Sequence, residues 1–324
     1  MKKVLFTGDT LSSETRDLYR NKGFDIVSAS YDLTEDEVAK LLQDCDGYIL
    51  GGDEIASESL LAKSGEKLKA ISFFGAGYEK YIDIKYAKEK GITVSNTPGA
   101  NANSVAEMTV ALLLAAVKNI VQNNNATKRA EWDRQKSIDI LGKVVGIIGL
   151  GTVGTKVAKM LHNGFGCEIR YFGNNKKPEV EKEIGAVFCS LDQLLSESDF
   201  VLVHAAYTEN TERLLNEERL KSMKNGAILV NTARAEIVDE DALLSVLKED
   251  VLLRAAFDVF FEEPINSEEI LGRHPILALG DDKFIITPHM AYYTHDALEN
   301  MEKMALDNIV AMLSGADCEC IVNK

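Results

Sequence analysis

Four stretches of this 324-residue chain gather residue types that can do chemistry. The first is Val144-Val145-Gly146-Ile147-Ile148-Gly149-Leu150-Gly151-Thr152-Val153-Gly154, an apolar strand-like run entering G-x-G-x-x-G. Gly149 permits a tight turn, Gly151 lets the backbone approach a pyrophosphate, and Gly154 lets the next helix pack closely on the strand. That helix, residues 155–161, offers free N–H groups and a positive dipole end to an anion. Thr152 and Val153 complete the phosphate loop. A bare glycine triplet is a weak signal. Here strand, helix and succeeding strands all follow in order, so the motif reads as a dinucleotide site.

Which dinucleotide it takes depends on the segment about 20 residues further on, where an NAD site expects Asp or Glu for the ribose 2′-hydroxyl. This chain has Tyr171-Phe172-Gly173-Asn174-Asn175-Lys176-Lys177 there, and no acid before Glu179. Without that carboxylate, repulsion against a 2′-phosphate is gone, and Lys176 or Lys177 could pair with one. The plainer alternative is a solvated basic turn beside an NAD site that uses Asn174 for the ribose. The cofactor is therefore NADP or NAD, with the balance towards NADP and with Asn174, Asn175 and Lys176 as candidate contacts.

The other three stretches are Val230-Asn231-Thr232-Ala233-Arg234-Ala235-Glu236-Ile237-Val238-Asp239-Glu240, Phe257-Asp258-Val259-Phe260-Phe261-Glu262-Glu263-Pro264 and Ile286-Thr287-Pro288-His289-Met290-Ala291-Tyr292-Tyr293-Thr294. An arginine, an acid and a histidine each stand just past an apolar run, on the carboxyl edge where an open α/β sheet binds its ligand. They would converge on a nicotinamide. Each has a duller alternative: His289 could merely cap a turn, Arg234 could be a surface salt-bridge donor, and Glu262 or Glu263 could simply be solvated. The three dull readings together are a poor account of three convergent groups.

The elements that must position these groups are short apolar runs alternating with amphipathic stretches. Strand signals fall at residues 3–8, 24–27, 47–50, 68–74 and 92–94, with helical patterns at 12–21 and 33–43. A long apolar helix is predicted at 104–119, then a polar segment at 122–139. Six further strand signals follow at 144–148, 168–172, 200–203, 227–231, 253–257 and 284–287. The rhythm implies right-handed βαβ units and parallel sheets, and six strands make a complete dinucleotide fold. A last helix, residues 294–313, lies beyond that sheet and is expected to return to the first domain.

Composition bounds the rest. There are 36 Lys plus Arg against 51 Asp plus Glu, a net charge of −15, and 46% of residues are hydrophobic. The length suggests two domains. No basic face is available to track phosphates, which argues against nucleic acid. The longest apolar run, residues 110–117, is far short of the roughly 20 that span a bilayer. After Met1-Lys2-Lys3-Val4-Leu5-Phe6 the chain meets Gly8-Asp9-Thr10, so no signal-peptide core is expected. Five scattered cysteines without a C-x-x-C pair read as reduced cytoplasmic thiols, and Cys318 with Cys320 lacks further soft ligands for zinc, so no metal is expected.

With these motifs in place, the sequence closely resembles the D-isomer-specific 2-hydroxyacid dehydrogenases, including the D-lactate/2-hydroxyisocaproate and glyoxylate/hydroxypyruvate reductase branches. The likeness runs nearly end to end. It takes in Gly75-Ala76-Gly77, Asn96-Thr97-Pro98-Gly99-Ala100-Asn101 and Ser104-Val105-Ala106-Glu107 as well as the four stretches above. It implies an α/β protein of two doubly wound parallel-sheet domains with a cleft between them. A flavodoxin-like substrate domain would comprise 1–100 plus 292–324, and a Rossmann dinucleotide-binding domain 101–291. It also implies a homodimer, for which the excess apolar face of helix 104–119 would serve, although a buried intradomain helix reads almost identically.

The chemistry follows from the groups. Reduction of a 2-oxo acid delivers hydride to carbon and a proton to oxygen. A histidine suits the proton transfer because it titrates near neutrality; a carboxylate beside it holds the tautomer and favours the imidazolium. An arginine fork grips the substrate carboxylate and polarises the carbonyl. His289 is thus the acid/base and Arg234 the anchor. Glu263, which precedes Pro264 as in the family motif, is the partner. The resemblance further implies a second carboxylate grip by the Ala76 and Gly77 amides, and a substrate wall at Tyr292. It places Asp258 near the nicotinamide amide and His204 at the cofactor wall, with Thr232, Ala233 and Ala291 as further cofactor contacts.

Two departures from the family pattern stand out: Ala235 where Gly usually follows the arginine, and Ala206 where Pro is common. Ala235 is costly only if its turn needs a positive φ. Ala206 is expected to loosen its loop. Among substrates, the acidic loop Gly51-Gly52-Asp53-Glu54-Ile55 disfavours a phosphorylated acid, and only residues 290–324 follow His289, so no regulatory domain is expected. Met290-Ala291-Tyr292-Tyr293-Thr294 resembles the lactate and 2-hydroxyisocaproate branch. Residues 171–177 and 96–98 look more like the glyoxylate/hydroxypyruvate reductases. Two rivals share the fold: a dinucleotide-sensing co-repressor and a formate-type dehydrogenase, the latter disfavoured by Glu263.

Overall fold

Parallel strands covered on both faces tend to be apolar along their length, and one central strand in each sheet of this chain is so built: Gly47-Tyr48-Ile49-Leu50 and Phe200-Val201-Leu202-Val203 are buried at every residue. The computed structural model describes residues 1–324 except 9, 10, 31, 32, 53 and 133. Asp9 and Thr10, which follow Gly8, and Asp53 of the acidic stretch 51–55 thus lie outside the described residues.

The chain divides into two compact units, Met1–Asn101 with His295–Lys324, and Ala102–Thr294. The first begins with β1 (Lys2–Thr7), α1 (Ser13–Asn21), β2 (Phe24–Ala29), α2 (Glu35–Leu42), β3 (Gly47–Leu50), α3 (Glu58–Lys63), β4 (Ala70–Phe73), α4 (Ile84–Glu89) and β5 (Thr93–Ser95). Its strands lie in the order β2-β1-β3-β4-β5, all parallel, which is the flavodoxin-like order. Serine or aspartate caps start several of its helices: Ser12, Ser57 and Asp83 each accept a backbone N–H of the first turn.

The second unit opens with α5 (Ala102–Val117) and α6 (Ile120–Lys128). It continues through β6 (Val144–Ile148), α7 (Thr152–Phe165), β7 (Glu168–Phe172), α8 (Pro178–Ile184), β8 (Val187–Phe188), α9 (Leu191–Glu197) and β9 (Phe200–Val203). The remainder is α10 (Glu217–Ser222), β10 (Ala227–Asn231), α11 (Glu240–Lys248), β11 (Leu252–Phe257), α12 (Glu268–Arg273) and β12 (Phe284–Ile286). The sheet order is β12-β11-β10-β9-β6-β7-β8, a Rossmann order with one added edge strand, and it reverses direction between β6 and β9. One apolar core lies on the face covered by α5, α7 and α8, the other on the face covered by α9, α10 and α11. Finally α13 (His295–Ser314) packs on β3, β4 and β5 of the first unit.

Several sequence expectations need correcting. The sheet of the second unit has seven described strands, not six, because β8 is only Val187–Phe188, too short to show a pattern. The polar segment at 122–139 holds much of α6, which turns a buried Gln122 inward. The helix after the glycine loop is twice the expected length, starting at Thr152 and ending at Gly166 in a left-handed C-cap. Helices α3 and α4 carried too few residues to be recognised. The apolar face of α5 is spent inside its own unit: Ala106, Leu112, Leu113, Ala116 and Val117 are core residues there. No single helix among the described residues is long and apolar enough to cross a membrane.

The glycine loop divides into two steric roles. A Cβ on Gly154 would stand 2.2 Å from the Gly149 carbonyl oxygen, and Gly149 has φ +96° with the Ala205 backbone 2.6 Å from its missing Cβ. A Cβ added at Gly151 would meet nothing within 4 Å beyond its chain neighbours. Gly154→Ala should therefore cost about 1–3 kcal/mol through overpacking, whereas Gly151→Ala should melt like the parent. Thermal denaturation of both variants checks this; equal melting temperatures would contradict the close helix–strand contact.

Candidate active site

β11 and β12 are adjacent parallel strands, so the loops leaving their carboxyl ends emerge side by side. The loop after β11 carries Glu263 and the one after β12 carries His289. Their side chains meet: His289 Nδ1 lies 2.7 Å from Glu263 Oε2, both side chains keeping about a third of their surface exposed (33% and 31%). The second Glu263 oxygen accepts the Phe260 N–H at 2.6 Å. Burial works to raise the Glu263 pKa, but the hydrogen bond and charge of His289, the Phe260 amide and the charge of Arg234 outweigh it and leave the carboxyl below its ordinary 4.5. The acidic pair is thereby resolved, since the neighbouring Glu262 turns to Arg273 and His274 instead.

His289 has a left-handed backbone, φ +50°, uncommon for a residue with a Cβ. Asp258 holds it there. That aspartate is 1% exposed. Its Oδ1 accepts the Thr287 hydroxyl and the Met290 N–H, and its Oδ2 accepts the Ala291 N–H at 2.7 Å. Asp258 therefore staples the histidine loop from both sides, and the Ala291 amide is spent on it. The Tyr292 ring stands edge-on to His289 with centroids 6.0 Å apart.

Arg234 follows β10, with Asn231 as its staple. Fully buried, Asn231 donates to the Arg234 carbonyl at 2.9 Å and accepts the Ala233 N–H at 2.9 Å. Sequence reasoning passed over Asn231; a buried amide ending an apolar strand was the available signal. Thr232 is tied to α5 through its hydroxyl, 2.7 Å from that of Thr109. Ala235 sits at the start of a short 3₁₀ turn, Ala235–Ile237, and is not among the positive-φ residues, so its replacement of Gly is harmless. The carbonyl of Ala206 accepts the Thr211 hydroxyl at 2.8 Å, which braces the loop where proline is absent.

At the switch between β6 and β9, the residues fit a dinucleotide. Gly151 leaves open space above the loop, Thr152 and Val153 form an accessible first turn of α7, and the N-cap supplies no side-chain acceptor to its N–H groups. The His204 turn abuts Gly149. Its Nε2 is shielded from solvent without a partner, and desolvation pushes the imidazole pKa down to about 4, so the ring is neutral. Asn174, Asn175 and Lys176 lie exposed after β7. Lys176 Nζ is 5.6 Å from the Phe188 ring, and Glu181 accepts the Tyr171 hydroxyl at 2.6 Å.

In the first unit, Ala76 and Gly77 follow β4 in a bend supported from beneath. Asn96 donates to the Ala76 carbonyl at 2.7 Å, the Thr97 N–H to the Gly75 carbonyl at 2.9 Å, and Asn308 of α13 to the Asn96 carbonyl at 2.9 Å. The returning helix thus underpins this loop. Among the described residues, no group of three or more His, Cys, Asp or Glu side chains could hold a metal.

A Rossmann sheet with an arginine, a glutamate–histidine pair and an open glycine loop along its carboxyl edge defines a nicotinamide-dependent dehydrogenase. Residues 110–291 match the family model described as D-isomer specific 2-hydroxyacid dehydrogenase, NAD binding domain. A glyoxylate reductase of Thermococcus litoralis is 36% identical over 273 residues, 82% of this chain and 80% of that protein. A solved structure from Thermus thermophilus is 32% identical with a TM-score of 0.84, covering 99% of both chains. An acyclic imino acid reductase in complex with NADPH is 27% identical, with a TM-score of 0.84 and 99% of both chains covered. The chain belongs to the D-isomer-specific 2-hydroxyacid dehydrogenase family. It is an NAD(P)-dependent oxidoreductase that interconverts 2-oxo and 2-hydroxy acids.

A carboxyl whose pKa folding lowers contributes stability that is present above its ordinary value and lost as pH falls through the folded one. Glu263→Gln should therefore flatten the acid loss of melting temperature below the ordinary 4.5. Without the carboxylate the ring loses the acceptor that fixes its Nδ1, so kcat for 2-oxo acid reduction should fall about tenfold to 10²-fold. Thermal melts and steady-state rates check both; an unchanged kcat would mean that the pair does not act together.

Proposed function

We propose that the protein reduces a small unphosphorylated 2-oxo acid, glyoxylate foremost, to the 2-hydroxy acid with NADPH, and that His289 is the proton donor. The observation that carries this reading is the 2.7 Å bond between His289 Nδ1 and Glu263. With Nδ1 engaged by the carboxylate, Nε2 is the nitrogen assigned to the substrate. When bound, the nicotinamide supplies the hydride to the carbonyl carbon. Arg234 grips the substrate carboxylate through its planar fork and polarises the neighbouring carbonyl. His289 passes the Nε2 proton to the carbonyl oxygen, and ionised Glu263 favours the imidazolium beforehand and the correct tautomer afterwards. The Ala76 and Gly77 amides supply the second grip in this reading, and Tyr292 a wall that suits a small side chain.

Glyoxylate is favoured by the name of the Thermococcus litoralis relative. NADPH is favoured by exposed Asn174, Asn175 and Lys176, by Glu181 being engaged with Tyr171, and by the NADPH-bound neighbour. The five unpaired thiols, four of them buried, support a reducing compartment such as the cytoplasm. Self-association as a homodimer is supported by exposed apolar residues on the second unit, Ile120, Trp132 and Leu141, the last two 84% and 77% exposed.

Glyoxylate, hydroxypyruvate, pyruvate, 2-oxoisocaproate and 3-phosphohydroxypyruvate, each with NADPH and NADH, form the deciding panel. Glyoxylate with NADPH should be turned over fastest; no cofactor oxidation with any acid would overturn the proposal. His289→Ala should lose about 10²–10⁴-fold in kcat while NADPH affinity holds, and surviving activity would reassign the proton donor. Trp132, the sole tryptophan, should shift its emission to the blue as protein concentration rises through dimer formation. Sedimentation as a monomer at every concentration would refute the homodimer.

A further inference from the structure

His274 is used by no step above, yet it is a partly buried junction beside the loop that carries Glu263. Its side chain is 12% exposed. It follows α12, and its Nδ1 lies 2.8 and 3.0 Å from the two Glu240 oxygens at the start of α11. Its Nε2 lies 3.3 Å from Glu262 in the loop after β11. Its ring packs edge-on against Phe260, with centroids 4.9 Å apart. Ionised carboxylates only accept hydrogen bonds, so satisfying both at once requires a hydrogen on each ring nitrogen. Phe260 and Glu262 flank the chain that ends in Glu263, and the Phe260 N–H is what orients the Glu263 carboxylate.

We propose that His274 is a positioning residue for the catalytic pair: as an imidazolium clamped between Glu240 and Glu262, it fixes the 260–263 loop and so aims Glu263 at His289. The inference rests on the assignment of that pair as the reacting groups. The charged groups facing the clamp are Glu240 on α11, Glu262 in the loop, and Arg273 on α12, which also pairs with Glu262 and Glu269. Burial alone would lower the His274 pKa, but the hydrogen bonds and charges of Glu240 and Glu262 outweigh it and raise it above the ordinary 6.5. The clamp is therefore complete below that value and released as pH rises through the raised one.

The test uses oxidation of the 2-hydroxy acid. In that direction the neutral His289 ring is the base, so a fall at higher pH reports a second group. The full-length protein should show that alkaline fall. His274→Gln should lack it and run about tenfold to 10²-fold slower across the profile, with the KM for the cofactor unchanged. Glu240→Gln, which keeps the ring but removes one carboxylate, should move the alkaline limb to lower pH. With five histidines in the chain, carbon-13 ring spectra can follow each one. One ring should titrate above the ordinary range, be missing in His274→Gln and titrate lower in Glu240→Gln. An alkaline limb at the same pH in all three proteins, or no raised ring titration, would overturn the proposal. Should His274→Gln not fold, the limb and ring shifts in Glu240→Gln decide by themselves. A parent enzyme without activity on any 2-hydroxy acid would instead refute the proposed substrate class, while the ring titration still reads the clamp.

Discussion

The second unit is organised around one hydrogen bond, from a histidine ring after β12 to a carboxylate after β11. A carboxylate in a partly desolvated site must be paired and held, or burial would neutralise it. Glu263 meets that requirement with two partners, the His289 ring on one oxygen and the Phe260 amide on the other. Neither partner is local in the way a helix contact is. The ring arrives because β11 and β12 pair in parallel, and the amide because the loop doubles back between Phe260 and Glu263.

Behind Arg234 and His289 stands a buried polar residue at or just past a strand end. Asn231 closes the arginine loop after β10, and Asp258 closes the histidine loop after β12 while itself following β11. Such groups are costly to bury unless satisfied, and each here is bonded to backbone of the loop it shapes. The same device recurs in the first unit, where Asn96 and Asn308 carry the Ala76 bend. The strained backbone of His289 is thus over-determined by its surroundings, as a strained residue at a functional site has to be.

Much of this was legible in the residues. The strands expected in the second unit's sheet were each found to within a residue at either end, because strands of a sheet covered on both faces keep mostly apolar runs. Two-residue β8 left no such run, and six-residue α3 and α4 left too few turns for a helical period to emerge. Helix α5 was ambiguous for a different reason: an apolar face turned to its own sheet and one turned to a second chain have the same sequence signature. Packing inside the unit accounts for most of it.

The reacting types, their order and their station past strand ends were written in the sequence, as were the three glycines. These are properties of single positions and local periods. Tertiary structure brought Glu263, already marked by the Pro264 that follows it, to His289, and it alone set Glu262 with Arg273 and His274. It also decided that Asp258 and Asn231 are staples, that Ala235 needs no positive φ, and that Gly154 is fixed by contact while Gly151 stands open. Each depends on which loops a parallel sheet sets side by side, and residues 26 positions apart, like Glu263 and His289, carry no local mark of that adjacency.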